Sequence, residues 1–275
     1  MLDLTRPVVM GILNVTPDSF SDGGRYATAD AAFDRAAAMV AEGAAILDIG
    51  GESTRPGSAG VTAEVELDRV IPVIERIASS FDVAISIDSS KPAVMTAAVS
   101  AGACIINDVY ALRAPGALLC AAQSAAGVCL MHMQGEPRTM QRNPQYGDVV
   151  REGSEFLRVR RDACIAAGVA REAIVLDPGV GFGKGLEHNM ALLKALPRLA
   201  ESGSPLLVGL SRKSFIGRIL GKETADRLYG GLGLAALAVT YGARIIRTHD
   251  VAPTVDAIRL VSAVVDGVVS APMAT

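Results

Sequence analysis

The chain has 275 residues, half of them hydrophobic but only 4% aromatic, with a formal net charge of −3. A charge that small gives no electrostatic footprint for nucleic acid or an anionic membrane, and no apolar run approaches the roughly 20 residues of a bilayer span. The length suits one domain over residues 1–275, with a core of Ala, Val, Ile and Leu, the composition of a parallel sheet covered by helices on both faces.

The first predicted strand, Val8 to Asn14, is a short aliphatic run that ends on an amide. The loop after it is rich in Pro, Asp, Ser and Gly, and Phe20 is its only large apolar residue. It reads either as a surface loop with Phe20 tucked down or as a lid over a site whose floor carries Asn14. A helical pattern from Thr28 carries Phe33, Ala37 and Val40 and stops at Gly43. Ala44–Gly50 is the second strand, opening into a second polar loop, Gly51–Gly57. Thr62–Ile77 reads as a helix with a capping arrangement of Thr62 and Val65-Glu66.

Val83–Asp88 is the third strand, with a short helix from Pro92. Cys104–Asp108 is the fourth and Val128–Met133 the fifth, followed by a long polar loop, Gln134–Gly147, and a helix over 146–168. Ile174–Asp177 is the sixth, running into the glycine-rich stretch Gly179-x-Gly181-x-Gly183-Lys184. Leu206–Ser211 is the seventh, ending in Arg212-Lys213-Ser214, with helix after it, broken near Gly221 and resumed over 225–241. Arg244–Asp250 is the eighth, and Val251–Val265 closes the chain as a helix. Cys104, Cys120, Cys129 and Cys164 show no C-x-x-C spacing, so reduced thiols, mostly in the core of a cytoplasmic protein, are expected. Met1–Arg6 has neither the basic start nor the apolar stretch of a signal peptide.

Eight strands, each followed by helix, is the count of a (β/α)8 TIM barrel, whose functional groups gather at the strand C-termini. The strand ends carry Asn14, Asp48, Asp88, Asn107 with Asp108, Met131 with His132, Asp177, Lys213, and Arg247 with His249, whereas the opposite ends carry Ala, Val and Pro. Any one of these, Asp88 or Asp108 included, reads equally well as a cap on the next helix. Together they point to a common mouth.

A carboxylate such as Asp177 can accept two parallel N–H bonds from an amidine-like edge, and Asn107 offers both donor and acceptor to a heterocycle. Arg247-Thr248-His249 follows the eighth strand, where barrels often hold phosphate, and Asn14 beside it could give an oxygen to Mg²⁺. The ligand is therefore expected to combine a guanidine-like ring edge with an anionic part. Lys213 could form a Schiff base, as in a class I aldolase, but its neighbours Ser211, Arg212 and Ser214, just before a helix, suggest anion binding. The glycine-rich stretch lacks the spacing and the Ser/Thr of a nucleotide P-loop, so its glycines are expected to turn the backbone and present Phe182. His132, between two Met residues, reads as a packed core histidine.

Several stretches together resemble the dihydropteroate synthase family, the folate-pathway enzymes inhibited by sulfonamides. They are residues 10–24, 48–57, 86–88, 106–108, 176–182, 211–214 and 247–250. Ser89 stands where the family usually has Thr, and Thr248 where Val is common. The resemblance implies condensation of 6-hydroxymethyl-7,8-dihydropterin diphosphate with p-aminobenzoate to 7,8-dihydropteroate and diphosphate, through a dissociative route. It implies a pterin pocket of Thr54, Asp88, Asn107, Met131, Asp177, Phe182 and Lys213, and diphosphate held by Asn14 through Mg²⁺, by Arg247 and by His249. Asp88, Lys213, Arg247 and His249 would carry the catalysis. Phe20, Asp22, Arg55, Pro56 and Ser214 would close over p-aminobenzoate. A homodimer is also implied, with Leu232, Leu234, Leu237 and Val239 as candidate contacts. The alternative is a pterin-binding methyltransferase on the same barrel.

Overall fold

The computed structural model describes residues 2–16, 24–53 and 60–267, with only the backbone for residues 24–28. Eight parallel strands close in sequence order into a barrel. They are β1 (Val8–Asn14), β2 (Ile46–Gly50), β3 (Ala84–Asp88), β4 (Ile105–Asp108), β5 (Gly127–Met131), β6 (Ile174–Asp177), β7 (Leu206–Gly209) and β8 (Ala243–Thr248). The helices are α1 (Gly24–Ala41), α2 (Ala63–Ser80), α3 (Pro92–Ser100), α4 (Ala117–Gln123), α5 (Val149–Ala166), α6 (Leu186–Lys194), α7 (Leu196–Ala200), α8 (Ser214–Leu220), α9 (Leu228–Thr240) and α10 (Val251–Asp266). The expected (β/α)8 barrel is what the chain forms.

Strand and helix bounds differ from the reading of the sequence in two places that bear on the site. β7 stops at Gly209, so Lys213 is the N-cap of α8 rather than a strand residue. Arg212 before it has φ +58, a left-handed backbone that ends extended structure. The helix expected from 146 begins at Val149, because the Asp148 carboxylate accepts the amides of Val150 and Arg151 and fixes the first turn there. At α2, Thr62 Oγ1 does accept the Val65 amide, at 3.4 Å, but Glu66 is buried on the lysine of α3's N-cap, Lys91, instead of completing a capping box.

The alternation of side chains along each strand divides the barrel interior into layers. The lower layer is apolar: Met10, Ile46, Cys129, Leu207 and Ile245 are buried together, with Ala84, Ile105 and Val175 against them and Leu2 and Leu4 closing the N-terminal end. Two residues further along, Ile46 gives way to Asp48, Ile105 to Asn107, Cys129 to Met131, Val175 to Asp177 and Ile245 to Arg247. One step of the pleat thus turns a hydrophobic plug into a polar floor at the C-terminal mouth. The outward faces pack on the helices as the main core. At Gly11 that packing needs a bare backbone, since a Cβ would lie 2.9 Å from Met39 Sδ and 3.1 Å from Val251 Cγ2.

The ring is joined least at one seam. β6 and β7 pair at a single position, Leu176 with Leu206, and the β7–β8 register shifts between Leu206 and Leu207. Cys129 and Cys164 are buried, whereas Cys104 is exposed and Cys120 half-buried, so the thiols are less uniformly internal than expected; all four are free. No helix among the described residues is long and apolar enough to cross a membrane.

Candidate active site

On the β2–β4 side of the mouth, two carboxylates share one guanidinium. Arg247 Nε donates to Asp48 Oδ2 at 2.6 Å and its Nη2 to Asp88 Oδ2 at 2.7 Å, so the β8 arginine reaches across to β2 and β3. Asn107 Nδ2 donates to both oxygens of Asp48, at 3.3 and 3.1 Å, which leaves its carbonyl oxygen to accept. Burial pushes the Asp88 carboxyl up to about 7; Arg247 opposes the shift, while the negative charges of Asp48, Asp108 and Glu66 add to it. Arg247 is held above its ordinary value by the two carboxylates despite its own burial.

Asp108 proves to be a turn residue. Its carboxylate accepts Ser90 Oγ at 2.6 Å and the amides of Tyr110 and Leu112 at 2.9 and 2.8 Å. It thereby stabilises a turn in which Ala111 and Leu112 both carry positive φ, at 53° and 57°.

The β5–β7 side reverses the arrangement: one carboxylate lies among two ammonium groups. Asp177 Oδ1 accepts the Gly179 amide at 2.7 Å. Burial raises its pKa, and Lys213 and Lys184 act to lower it. Lys213 Nζ sits 3.9 Å from the centroid of the Phe182 ring, and Phe182 packs with Met131, Met133, Val109 and Met140. Burial brings Lys213 down to about 7, with Asp177 pulling the other way and Arg247 adding to the fall. Gly181, at φ +84, passes so close to this lysine that a Cβ would lie 2.9 Å from Lys213 Cδ. The glycine stretch therefore does present Phe182 to the mouth, as expected.

At the β1 and β8 ends, Asn14 Oδ1 reaches over Gly50 toward Asp88: a Cβ on Gly50 would lie 3.7 Å from that oxygen and 3.6 Å from Asp88 Cβ. His249 Nδ1 lies 3.1 Å from Ser211 Oγ, which also accepts the His249 amide at 3.2 Å. Arg212 clasps Asp250 through Nη2 at 2.5 Å, and Ser214 is the exposed first residue of α8. Among the described residues no group of three or more His, Cys, Asp or Glu side chains could by itself hold a metal ion.

His132 points away from this mouth. It is buried against Tyr146 and Phe156, at ring distances of 5.9 and 5.2 Å, and burial lowers its pKa to about 3, so it is the neutral core residue expected. Phe20, Asp22, Thr54, Arg55 and Pro56 lie outside the described residues. The sequence places Asp48 at the mouth and Ser211 beside an anion site, but it does not reveal Asp48 as the fully buried hub of Asn107 and Arg247 or Ser211 as the partner of His249, and it gives Lys184 no role. For Asp48 the signal was present, a carboxylate two residues past an inward Ile in a strand.

A family model described as pterin binding enzyme matches residues 10–249. The chain is 53% identical over 262 residues to the dihydropteroate synthase of Escherichia coli (strain K12), covering 95% of this chain and 93% of that protein. Among solved structures, the Xanthomonas albilineans dihydropteroate synthase with 4-aminobenzoic acid aligns with a TM-score of 0.91 at 51% identity, covering 96% of this chain and 94% of that one. The synthase from the same bacterium in complex with 7,8-dihydropteroate gives 0.88 at 48% identity, over 96% and 95% of the two chains.

Proposed function

The chain belongs to the dihydropteroate synthase family of pterin-binding enzymes, which join a 6-hydroxymethyl-7,8-dihydropterin diphosphate to p-aminobenzoate, and from that premise we propose how its own residues divide the work. Asp177, Asn107, Asp88 and Lys213 take the pterin ring, with Met131 and Phe182 against its faces. The observation that carries this is the pairing of an ionisable acceptor, Asp177, with a cation held over an aromatic ring 3.9 Å away. Such a slot suits a flat, nitrogen-rich bicycle whose amidine edge donates two parallel bonds.

The anionic leaving group goes to Arg247, His249 and Asn14. Arg247 Nη1 bonds to no described residue, whereas Nε and Nη2 are committed to the two carboxylates. A divalent cation would fit here with diphosphate and water supplying most of its oxygens and Asn14 Oδ1, the side-chain oxygen beside Gly50, supplying one. Mg²⁺ is usually held that way, and bound there it would supply positive charge to the leaving diphosphate.

The methylene C–O bond breaks and its electron pair leaves with diphosphate, whose growing charge Arg247 and His249 meet. The positive charge left on the pterin methylene faces the Asp88 carboxylate. The aniline nitrogen then forms the C–N bond and gives its proton to diphosphate or water; an aniline is weakly basic, so no strong general base is needed. Ser214, and Phe20, Asp22, Arg55 and Pro56 in the two loops, complete the p-aminobenzoate side, and Thr54 belongs with the pterin pocket. Diphosphate release measured with and without p-aminobenzoate tests the route. Release by pterin diphosphate alone is expected, and strict dependence on p-aminobenzoate would overturn the dissociative order. The family membership sets aside the methyltransferase reading.

The same reading includes a second copy of the chain as partner and a reducing, cytoplasmic location, in keeping with four free thiols. Support for the dimer comes from α9 and α10, where Tyr229, Leu260 and Val264 are 82%, 70% and 78% exposed. Of the residues first considered for that surface, Leu237 is exposed, while Val239 is buried and Leu234 packs on the core. Sedimentation of the full chain as a monomer would remove the dimer.

A further inference from the structure

One motif is left unused by the chemistry above, the lysine that ends the glycine-rich stretch. Lys184 is 3% exposed, and its Nζ donates to the carbonyl oxygens of His132 at 3.0 Å and Phe182 at 2.9 Å. Both hydrogen-bond partners among the described residues are neutral carbonyls. Burying an ammonium group without a hydrogen-bonded carboxylate is costly for the fold, and burial accordingly holds this amine down at about 7, with Asp177 only partly offsetting it. A hydrophobic residue would fill the space at lower cost, so a merely space-filling role accounts poorly for the choice.

The two carbonyls belong to different segments. His132 follows the last residue of β5, next to Met131, while Phe182 lies on the β6–α6 loop. That loop is wrapped closely around residues 132–134: a Cβ on Gly179, at φ +67, would fall 1.9 Å from the His132 carbonyl oxygen, and one on Gly183 would fall 2.4 Å from that of Gln134. Lys184 Nζ lies inside the wrap, 3.2 Å from that hypothetical Gly179 Cβ. The near end of the loop is tied to Asp177 through the Gly179 amide. The relation of the Phe182 ring to Met131, Asp177 and Lys213 is therefore set by a short peptide span whose far end Lys184 holds.

We propose that Lys184 is a positioning residue for the pterin site, clasping the β6–α6 loop to the end of β5 so that Phe182 and Asp177 face the ring in fixed register. This rests on the pterin pocket proposed above. Lys184 touches no substrate; it acts through two main-chain carbonyls. Its sequence signature resembles that of a phosphate-binding lysine, but its ammonium is turned inward.

The test compares Lys184→Met, which keeps length and removes the donors, with Lys184→Gln, which keeps shorter, uncharged donors, and with Asp177→Asn, each in the full chain. For Lys184→Met the KM for pterin diphosphate is expected to rise about tenfold or more while that for p-aminobenzoate stays within about twofold; Lys184→Gln should fall between it and the parent. A residue with only a structural role would lower the melting temperature and the active fraction and leave both KM values alone, and that result overturns the proposal. If Lys184→Met does not fold, Lys184→Gln decides: a raised pterin KM supports the clasp, and a parental one overturns it. A parental pterin KM in Asp177→Asn would instead show that the pocket assignment itself is wrong.

Discussion

The two sides of the mouth are built on opposite charge plans. Toward β2–β4 one cation, Arg247, lies between two anions, Asp48 and Asp88; toward β5–β7 one anion, Asp177, lies among two cations, Lys184 and Lys213. Each side thus has a charge that its partner cannot fully neutralise, negative on the first and positive on the second. The mouth as a whole is close to neutral yet strongly dipolar. Burial is the main force that draws three of these groups to about 7, Asp88 upward and Lys184 and Lys213 downward, and the like charges on each side add to it. A buried excess charge is relieved by gaining or losing a proton, so each side can adjust to a ligand of either sign at little cost.

Breaking the first side should have the largest effect. Arg247→Ala removes the cation proposed to meet the leaving group and strands two buried carboxylates, so turnover is expected to fall roughly 10²–10³-fold, with stability reduced by about 3–5 kcal/mol. Steady-state rates corrected for the folded fraction separate the two effects, and near-parental turnover would contradict the assignment. On the second side, Asp177→Asn keeps the shape and removes the charge. The KM for pterin diphosphate should rise about 10- to 100-fold, as expected for one charge-assisted bond, with a smaller change in kcat.

The pH dependence of melting sharpens the contrast without touching activity. Asp88 has a raised pKa in the folded chain, so between its ordinary 3.8 and about 7 the folded state holds more proton than the unfolded one, and its contribution to stability falls as pH rises through that window. Lys184 and Lys213 are lowered from 10.5 to about 7, so the unfolded state holds more proton between those values and their contribution recovers as pH rises from 7 toward 10.5. Asp88→Asn should flatten the acid limb of the melting curve and Lys184→Met the alkaline limb; the reverse assignment would refute the two charge plans. The smallest effect belongs outside both sides. Arg158, exposed on α5 and paired with Glu155 and Asp162, should leave the melting temperature nearly unchanged on replacement by Ala, with both KM values unaltered.

Much of this mouth was legible in the chain because strands announce themselves by their period and a barrel sends their last residues to one end. Asp88, Asn107, Asp177 and Arg247 were found that way. What stayed hidden depends on contacts distant in sequence. That Arg247 spans to Asp48, 199 residues earlier, is set by the closure of the sheet, which carries β8 round to face β2 across the mouth. The stretch before Lys184 lacks the spacing and the Ser/Thr of a phosphate loop, and the lysine's own role stays hidden because its partners are main-chain carbonyls, which carry no residue signature. The seventh strand, read to Ser211 with Lys213 at its end, stops two residues earlier, and neither the left-handed backbone of Arg212 nor that of Ala111 and Leu112 after Asp108 is announced by the residue type.

The seam between β6 and β7, held by the single pairing of Leu176 with Leu206, has a consequence for how the molecule breathes. A closed cylinder unzips where its ladder is shortest, so deuterium from solvent should enter the amides of β7 sooner than those of β1 to β4, whose ladders run several residues. Such brief partings would loosen the glycine span and Lys213 together, giving the ring-binding slot a way to exchange its occupant while the opposite wall stays shut.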